Sequence, residues 1–126
     1  MRTGLRSYTW LFGLVAAMWI MQSAVAHHGW GWASDKEFVI TGKIAKAKLG
    51  NPHGELTVDV DGVTWVVEVG QPWRNERAGL KPGLLNVGRV ITVHGHRSKK
   101  QDERLVKAER VVIDGKSYDL YPDRSS

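Results

Sequence analysis

The sequence predicts an all-β fold: a small five-stranded OB-like Greek-key barrel with one short helix between strands 3 and 4, preceded by a signal-peptide helix. Three observations carry this. Hydrophobic alternation with a two-residue period recurs in five short runs after residue 37. Turn residues punctuate those runs, with Asp61-Gly62 and Asp114-Gly115 giving the clearest reversals. The order is three strands, an aperiodic connection and two strands, which is how an OB barrel of about 80 residues is laid out. An SH3-like barrel or an open sandwich would show similar periodicity.

The first strand runs from about Phe38 to Leu49, and its apolar set changes face near Ile44 and Ala45, after Gly42. A bulge that lets the strand curl round a barrel has that pattern. Glu55 to Val60 alternates cleanly, with Leu56, Val58 and Val60 on one face and Glu55, Thr57 and Asp59 on the other. Beyond the Asp61-Gly62 turn, Val63, Trp65, Val67 and Val69 form a core face. Gly70 to Lys81 loses the two-residue period and reads as a short helix or turn ended by Pro82 and Gly83. A fourth strand, about Arg89 to His96, buries Ile91 and Val93. A fifth, about Leu105 to Ile113, turns at Asp114 and Gly115 into Ser117 to Tyr121. Trp65 is assigned to the core by its period, and Trp73 to the barrel end.

Upstream, Arg2 and Arg6 precede an apolar stretch, YTWLFGLVAAMWIM, that ends in SAVA before His27. Positive, greasy and small residues in that order make an export signal, cut between Ala26 and His27. The alternative is a retained anchor, since Ser7 to Ala26 is uncharged throughout. The predicted organisation is therefore signal peptide 1–26, N-terminal arm 27–37, barrel domain 38–122 and tail 123–126, with a periplasmic or secreted location. Cleavage removes two arginines and no carboxylate, so the formal charge falls from +5 to +3. That value argues solubility and only weakly favours an anionic partner. Cysteine is absent, which excludes thiolate chemistry, and all three methionines lie in the signal. All five histidines, His27, His28, His53, His94 and His96, stay in the mature part. A metal held by imidazole, carboxylate and backbone groups is more fittingly copper(II) or zinc than cuprous copper.

The HHGW start, the NPHG turn, WVVEVG followed by a proline, LKPG, a strand ending in GH and the tail VVIDGKSYDLYPDR resemble a family of small exported bacterial proteins catalogued as a domain of unknown function, the family 6152 type. Its double histidine, Asn-Pro-His turn and late Gly-His pair correspond here to His27 and His28, to Asn51, Pro52 and His53, and to Gly95 and His96. The chain departs from it at Gly54 and Glu55, where many relatives carry a small residue and a tryptophan. The resemblance implies export and an OB-like barrel, and brings no established activity.

The residues themselves point to metal. A freed His27 offers an α-amine and an imidazole that close a chelate ring on one ion, and His28 adds a ring beside it; the alternative is a solvated chain start. His53 occupies the loop after strand one and is the third ligand expected, unless it serves the turn alone. His94 and His96 are two apart on a strand and emerge on one face, about 6.5 to 7 Å apart at the backbone; the alternative is a hydrated surface pair. No phosphate loop, nucleophile elbow or cysteine supports an enzyme, and Glu68 with Arg77 reads as a structural ion pair. The expectation is an exported, non-catalytic module that binds copper(II) or zinc through these histidines, with the metal ion or an envelope protein as partner and no stable membrane insertion after signal removal. The alternative is an oligosaccharide, nucleic-acid or protein-interaction module without metal, using Trp30, Trp32 and the cluster Arg97, Lys99 and Lys100.

Overall fold

The computed structural model describes residues 29–124. The signal segment, His27 and His28 lie outside the described residues. The chain divides after Trp32. Residues 29–32, which include Trp30 and Trp32, form a bend and turn belonging to the first unit, and all the strands belong to the second.

Six strands build one sheet: β1 (Phe38–Lys48), β2 (Glu55–Val60), β3 (Val63–Glu68), β4 (Val90–Arg97), β5 (Leu105–Ile113) and β6 (Lys116–Asp119). β1 pairs antiparallel with β2 and β4, β2 with β3, and β4 with β5. Parallel pairing of β3 with β5 closes these five into an OB-like barrel. β6, formed from the segment after the Asp114-Gly115 turn, adds to β5 outside the closed ring. A short helix, α1 (Pro72–Arg77), and a 3-10 turn (Pro82–Leu84) connect β3 to β4.

The alternation read from sequence is the alternation observed. Leu56 and Val58 are fully buried while Glu55 and Asp59 face solvent, and Trp65 and Val67 face the core from β3. Asp61 and Gly62 adopt φ values of 51° and 81°, the left-handed pair that a twisted two-residue hairpin needs, and Asp59 Oδ1 accepts the Gly62 N–H at 2.8 Å. β1 slips register between Ile44 and Lys46. Ala45 is thereby the extra residue, Ile44 stays inside, and Ala47 returns to the partner of buried Leu56. Gly42 allows the tight curl: a side chain there would meet the Asp59 carbonyl and the methyls of Val58 and Val60. Burial of Ile44, Leu56, Val58, Val67, Ile91, Val93, Val106 and Val111 supplies about 1.5–3 kcal/mol per side chain before entropy is charged against it.

Trp73 departs from expectation. It is 52% exposed rather than seated in the barrel end, because it opens α1 on the surface, where its Nε1–H donates to Gln71 Oε1 at 2.7 Å. Arg97 instead covers inward-facing aromatics, its guanidinium 5.4 Å from the Phe38 ring and 5.1 Å from the Trp65 ring, which are themselves 5.0 Å apart.

The curl at Gly42 gives a direct test. Gly42→Ala is expected to cost about 1–3 kcal/mol in urea unfolding, since a methyl there must displace backbone. Gly83→Ala, in open space, is expected to stay within about 0.5 kcal/mol of the parent.

Candidate functional site

The pairings that close the barrel also set a row of charged groups across its outer face. Glu55 stands opposite Glu68, Glu68 opposite Lys107, and Lys107 opposite His96, on β2, β3, β5 and β4 in turn. Lys107 Nζ donates to Glu68 Oε1 at 3.0 Å, with both side chains buried. His53 reaches the same carboxylate from the β1–β2 loop, its Nε2 lying 3.5 Å from Glu68 Oε2 and 3.5 Å from Glu55 Oε1. That loop, which carries a cis Asn51-Pro52 bond, is tied to the end of β3: Gly54 N–H donates to the Gly70 carbonyl at 3.0 Å, and Val69 N–H to the Gly54 carbonyl at 2.9 Å. Buried Asn75 holds Gly70 in turn through a two-way pair, 2.9 Å each way. Glu68 thus pairs with Lys107 and His53, not with Arg77 as the sequence suggested. A strand partner in register lies closer to Glu68 than a helical residue nine positions downstream.

His94 and His96 project from the outer face of β4, opposite buried Ile91 and Val93. Both line one cavity of about 290 Å³ with Asp35, Glu37, Glu109, Arg110 and Arg124. A second bulge shapes it. The β4–β5 register slips so that His94 faces Arg110 while Gly95 faces Ala108. Glu109 is the extra residue, and Glu109 and Arg110 both turn outward between buried Ala108 and Val111. Gly95 permits the approach, since a side chain there would strike the Lys107 carbonyl.

Each imidazole of the pair has its own carboxylate. His96 Nε2 lies 2.7 Å from Glu109 Oε1, with side chains 12% and 14% exposed, and His94 Nδ1 lies 3.2 Å from Glu37 Oε1. Arg124 Nε also donates to Glu109 Oε1, at 3.4 Å. A carboxylate accepts, so the bonded ring nitrogen carries the hydrogen; in a neutral imidazole the lone pair then sits on Nδ1 of His96 and on Nε2 of His94.

Of the five histidines expected to act together, three lie among the described residues, and two of these, His94 and His96, share one cavity. His53 stands apart from them. Lys107 and Glu68 intervene along the register row, and two strand spacings put Glu68 about 10 Å from His96. Among the described residues no three histidine, aspartate or glutamate side chains form a group able to hold one ion. Sequence reading missed Asp35, Glu37, Glu109 and Arg124 as cavity residues. A signal for Glu109 exists: the buried set of β5 runs Val106, Ala108 and then Val111, Ile113, a slip of phase that marks a bulge. Arg97 of the expected basic cluster is stacked on the two rings described above, leaving Lys99 and Lys100 as its exposed members.

Beside the row, the Tyr121 ring lies 6.0 Å from Lys107 Nζ and is in turn packed on Arg74 of α1. Arg74 lies 4.2 Å from the Tyr121 ring and 4.6 Å from the Trp73 ring, and its Nη1 donates to the Leu120 carbonyl at 3.1 Å. Burial raises the Tyr121 phenol above its ordinary 10.0; Glu68 pushes the same way, while Arg74 and Arg124 oppose.

The chain belongs to the "Family of unknown function (DUF6152)", whose sequence model matches residues 15–106. No curated protein matches it. Solved structures similar to it include the S. pombe Stn1-ten1 complex, at 22% identity and TM-score 0.48, covering 61% of this chain and 57% of that one. Another is a ZRD-deleted mutant of TiaS in complex with agmatine, at 15% identity and TM-score 0.48, covering 68% of this chain and 26% of that one. The chain thus spans less than two thirds of each, and the likeness is one of fold.

Two tests follow from the row. Lys107→Met is expected to cost roughly 3–5 kcal/mol by denaturant titration, because it leaves the buried Glu68 carboxylate with only the longer His53 contact, whereas Glu68→Leu with Lys107→Met recovers most of that loss. For Tyr121, the folded chain holds the phenolic proton more tightly than the unfolded one. Its contribution to stability is full below the unfolded value of 10.0 and is lost as pH rises through the folded value. Phenolate absorbance should therefore show a late component that Tyr121→Phe removes.

Proposed function

We propose that this member of the family is an exported, non-catalytic binding module whose ligand is a divalent transition metal, copper(II) or zinc, taken at the cavity of His94 and His96. The observation that supports this is two imidazoles of one strand, each hydrogen-bonded to its own glutamate, lining one cavity. Proteins orient metal-binding imidazoles in this way at His94, where a carboxylate on Nδ1 fixes the tautomer and raises the basicity of Nε2; at His96 Nδ1 is buried, so an ion there takes Nε2 together with the Glu109 carboxylate beside it. The absence of cysteine and the confinement of methionine to residues 1–21 favour an ion content with nitrogen and oxygen donors. Water completes the coordination of an ion held by two rings. Asp35, Glu37 and Glu109 favour a cation in the cavity over an anion, against Arg110 and Arg124. Export rests on the residues before His27, and His27 and His28 enter this reading through the sequence alone.

Calorimetry with copper(II) and zinc on processed protein beginning at His27 tests the proposal. His94→Ala and His96→Ala are each expected to weaken binding about 10–100-fold, and Glu109→Gln about tenfold through loss of the carboxylate beside His96 Nε2. His53→Ala should leave affinity unchanged. A form beginning at Gly29 measures what His27 and His28 add. Affinity no tighter than that of a free His-His peptide, or affinity indifferent to both β4 variants, would overturn the reading.

A further inference from the structure

We infer that a second cavity, next to the first but of opposite character, is a binding site for a small oxyanion, the phosphate or sulfate group of a compact ligand. It measures about 330 Å³ and is lined by Ser34, Lys36, Glu37, Phe38, Arg97, Lys99 and Gln101. Three of those side chains are cationic and one is a carboxylate, so the lining is net positive. That carboxylate, Glu37, is already engaged, 3.2 Å from His94 Nδ1 on the other side. A concave surface with an excess of positive charge focuses potential toward an anion.

The cations come from segments some 60 positions apart in sequence, and backbone bonds fix their meeting. Ser34 N–H donates to the Arg97 carbonyl at 2.8 Å, Ala33 bridges to Ser98, and Ser98 N–H donates to the Leu105 carbonyl at 2.8 Å. Lys36 and Lys99 thus sit at bends that directly follow backbone segments laced to each other. Arg97 is held still further: its guanidinium lies across Phe38 and Trp65 and its Nη2 donates to the Gln101 carbonyl at 3.1 Å. Its Nε is buried and makes no hydrogen bond among the described residues. A guanidinium immobilised before the ligand arrives loses little entropy on binding, and with Nε buried and Nη2 on Gln101 it is Nη1 that can donate to an oxygen of a phosphate or sulfate. The volume is near the lower limit for ligand pockets, which suits a small ester or free anion better than a polymer laid across the barrel. The site shares Glu37 with the cavity of His94 and His96, but no imidazole lines it, so its test needs no metal.

The test is an amide-resolved NMR titration of processed, chelator-treated protein with inorganic phosphate and with inorganic sulfate at low ionic strength, against chloride at matched ionic strength. Saturable shifts are expected over residues 34–38 and 97–101. Lys36→Ala with Lys99→Ala should weaken them about tenfold or more, as loss of charge-assisted bonds predicts. Glu37→Gln, which removes the one carboxylate, should tighten binding. Phosphate and sulfate compared at one pH separate a preference for either ion. The inference fails if chloride reproduces the shifts, if the double variant binds as well as the parent, or if only a polymeric anion binds, which would instead mark an extended nucleic-acid or polysaccharide face.

Discussion

Three residue pairs hold this barrel shut. The parallel contact of β3 with β5 runs only from Val66 and Leu105 to Glu68 and Lys107, and it lies between strands far apart in sequence, so its loop-closure entropy is among the largest the fold must offset. Inside, the closure is covered by Val67 and Val106, both fully buried. Outside, it is covered by the buried Glu68–Lys107 ion pair, with the Tyr121 ring 6.0 Å from Lys107 Nζ. A buried pair of this kind is weak evidence for net stability, because desolvation opposes the Coulombic gain. Its value lies in register. A slip of one residue would leave two charges buried without partners, and the same slip would turn every side chain of β5 to the wrong face.

Once that register is set, the placement of the histidines follows. His53 is drawn to Glu68 because the loop that bears it is tied to the end of β3 through Gly54 and Gly70. His96 is opposite Lys107, but its ring turns to Glu109, since the bulge brings that extra carboxylate outward and Lys107 is already engaged by Glu68. His94, two residues back on the same face, finds Glu37 from the segment entering β1. Three imidazoles thus meet four carboxylates, Glu55, Glu68, Glu37 and Glu109, and the Lys107–Glu68 pair divides them into one structural histidine and a pair that shares a cavity.

The strands are legible in the sequence because each is half buried and the period of two is imposed by that burial. Leu56 and Val58, or Ile91 and Val93, cannot be shifted by one without exposing them. The bulge at Ala45 is legible for the same reason, as a change of face after Gly42. What escapes is whatever depends on the pairing of distant strands. Proximity in sequence matches Glu68 to Arg77, when its partner lies thirty-nine residues on. Bulk alone sends Trp73 inward, although a residue opening a surface helix after Pro72 has no inward face to take. The acids and arginines around His94 and His96 come from residues 35, 37, 109, 110 and 124, and no local pattern joins the three segments that carry them.

Glu37 connects the two cavities, and its position explains why they differ in sign. It stands where the chain enters β1, with the histidines of β4 on one side and Lys36, Arg97 and Lys99 on the other. Its hydrogen bond to His94 directs its charge toward the acid-rich side, so the cationic side is left with less compensation than its composition suggests. The two cavities therefore share one carboxylate that can serve only one neighbour fully, and its hydrogen bond commits it to the side of His94.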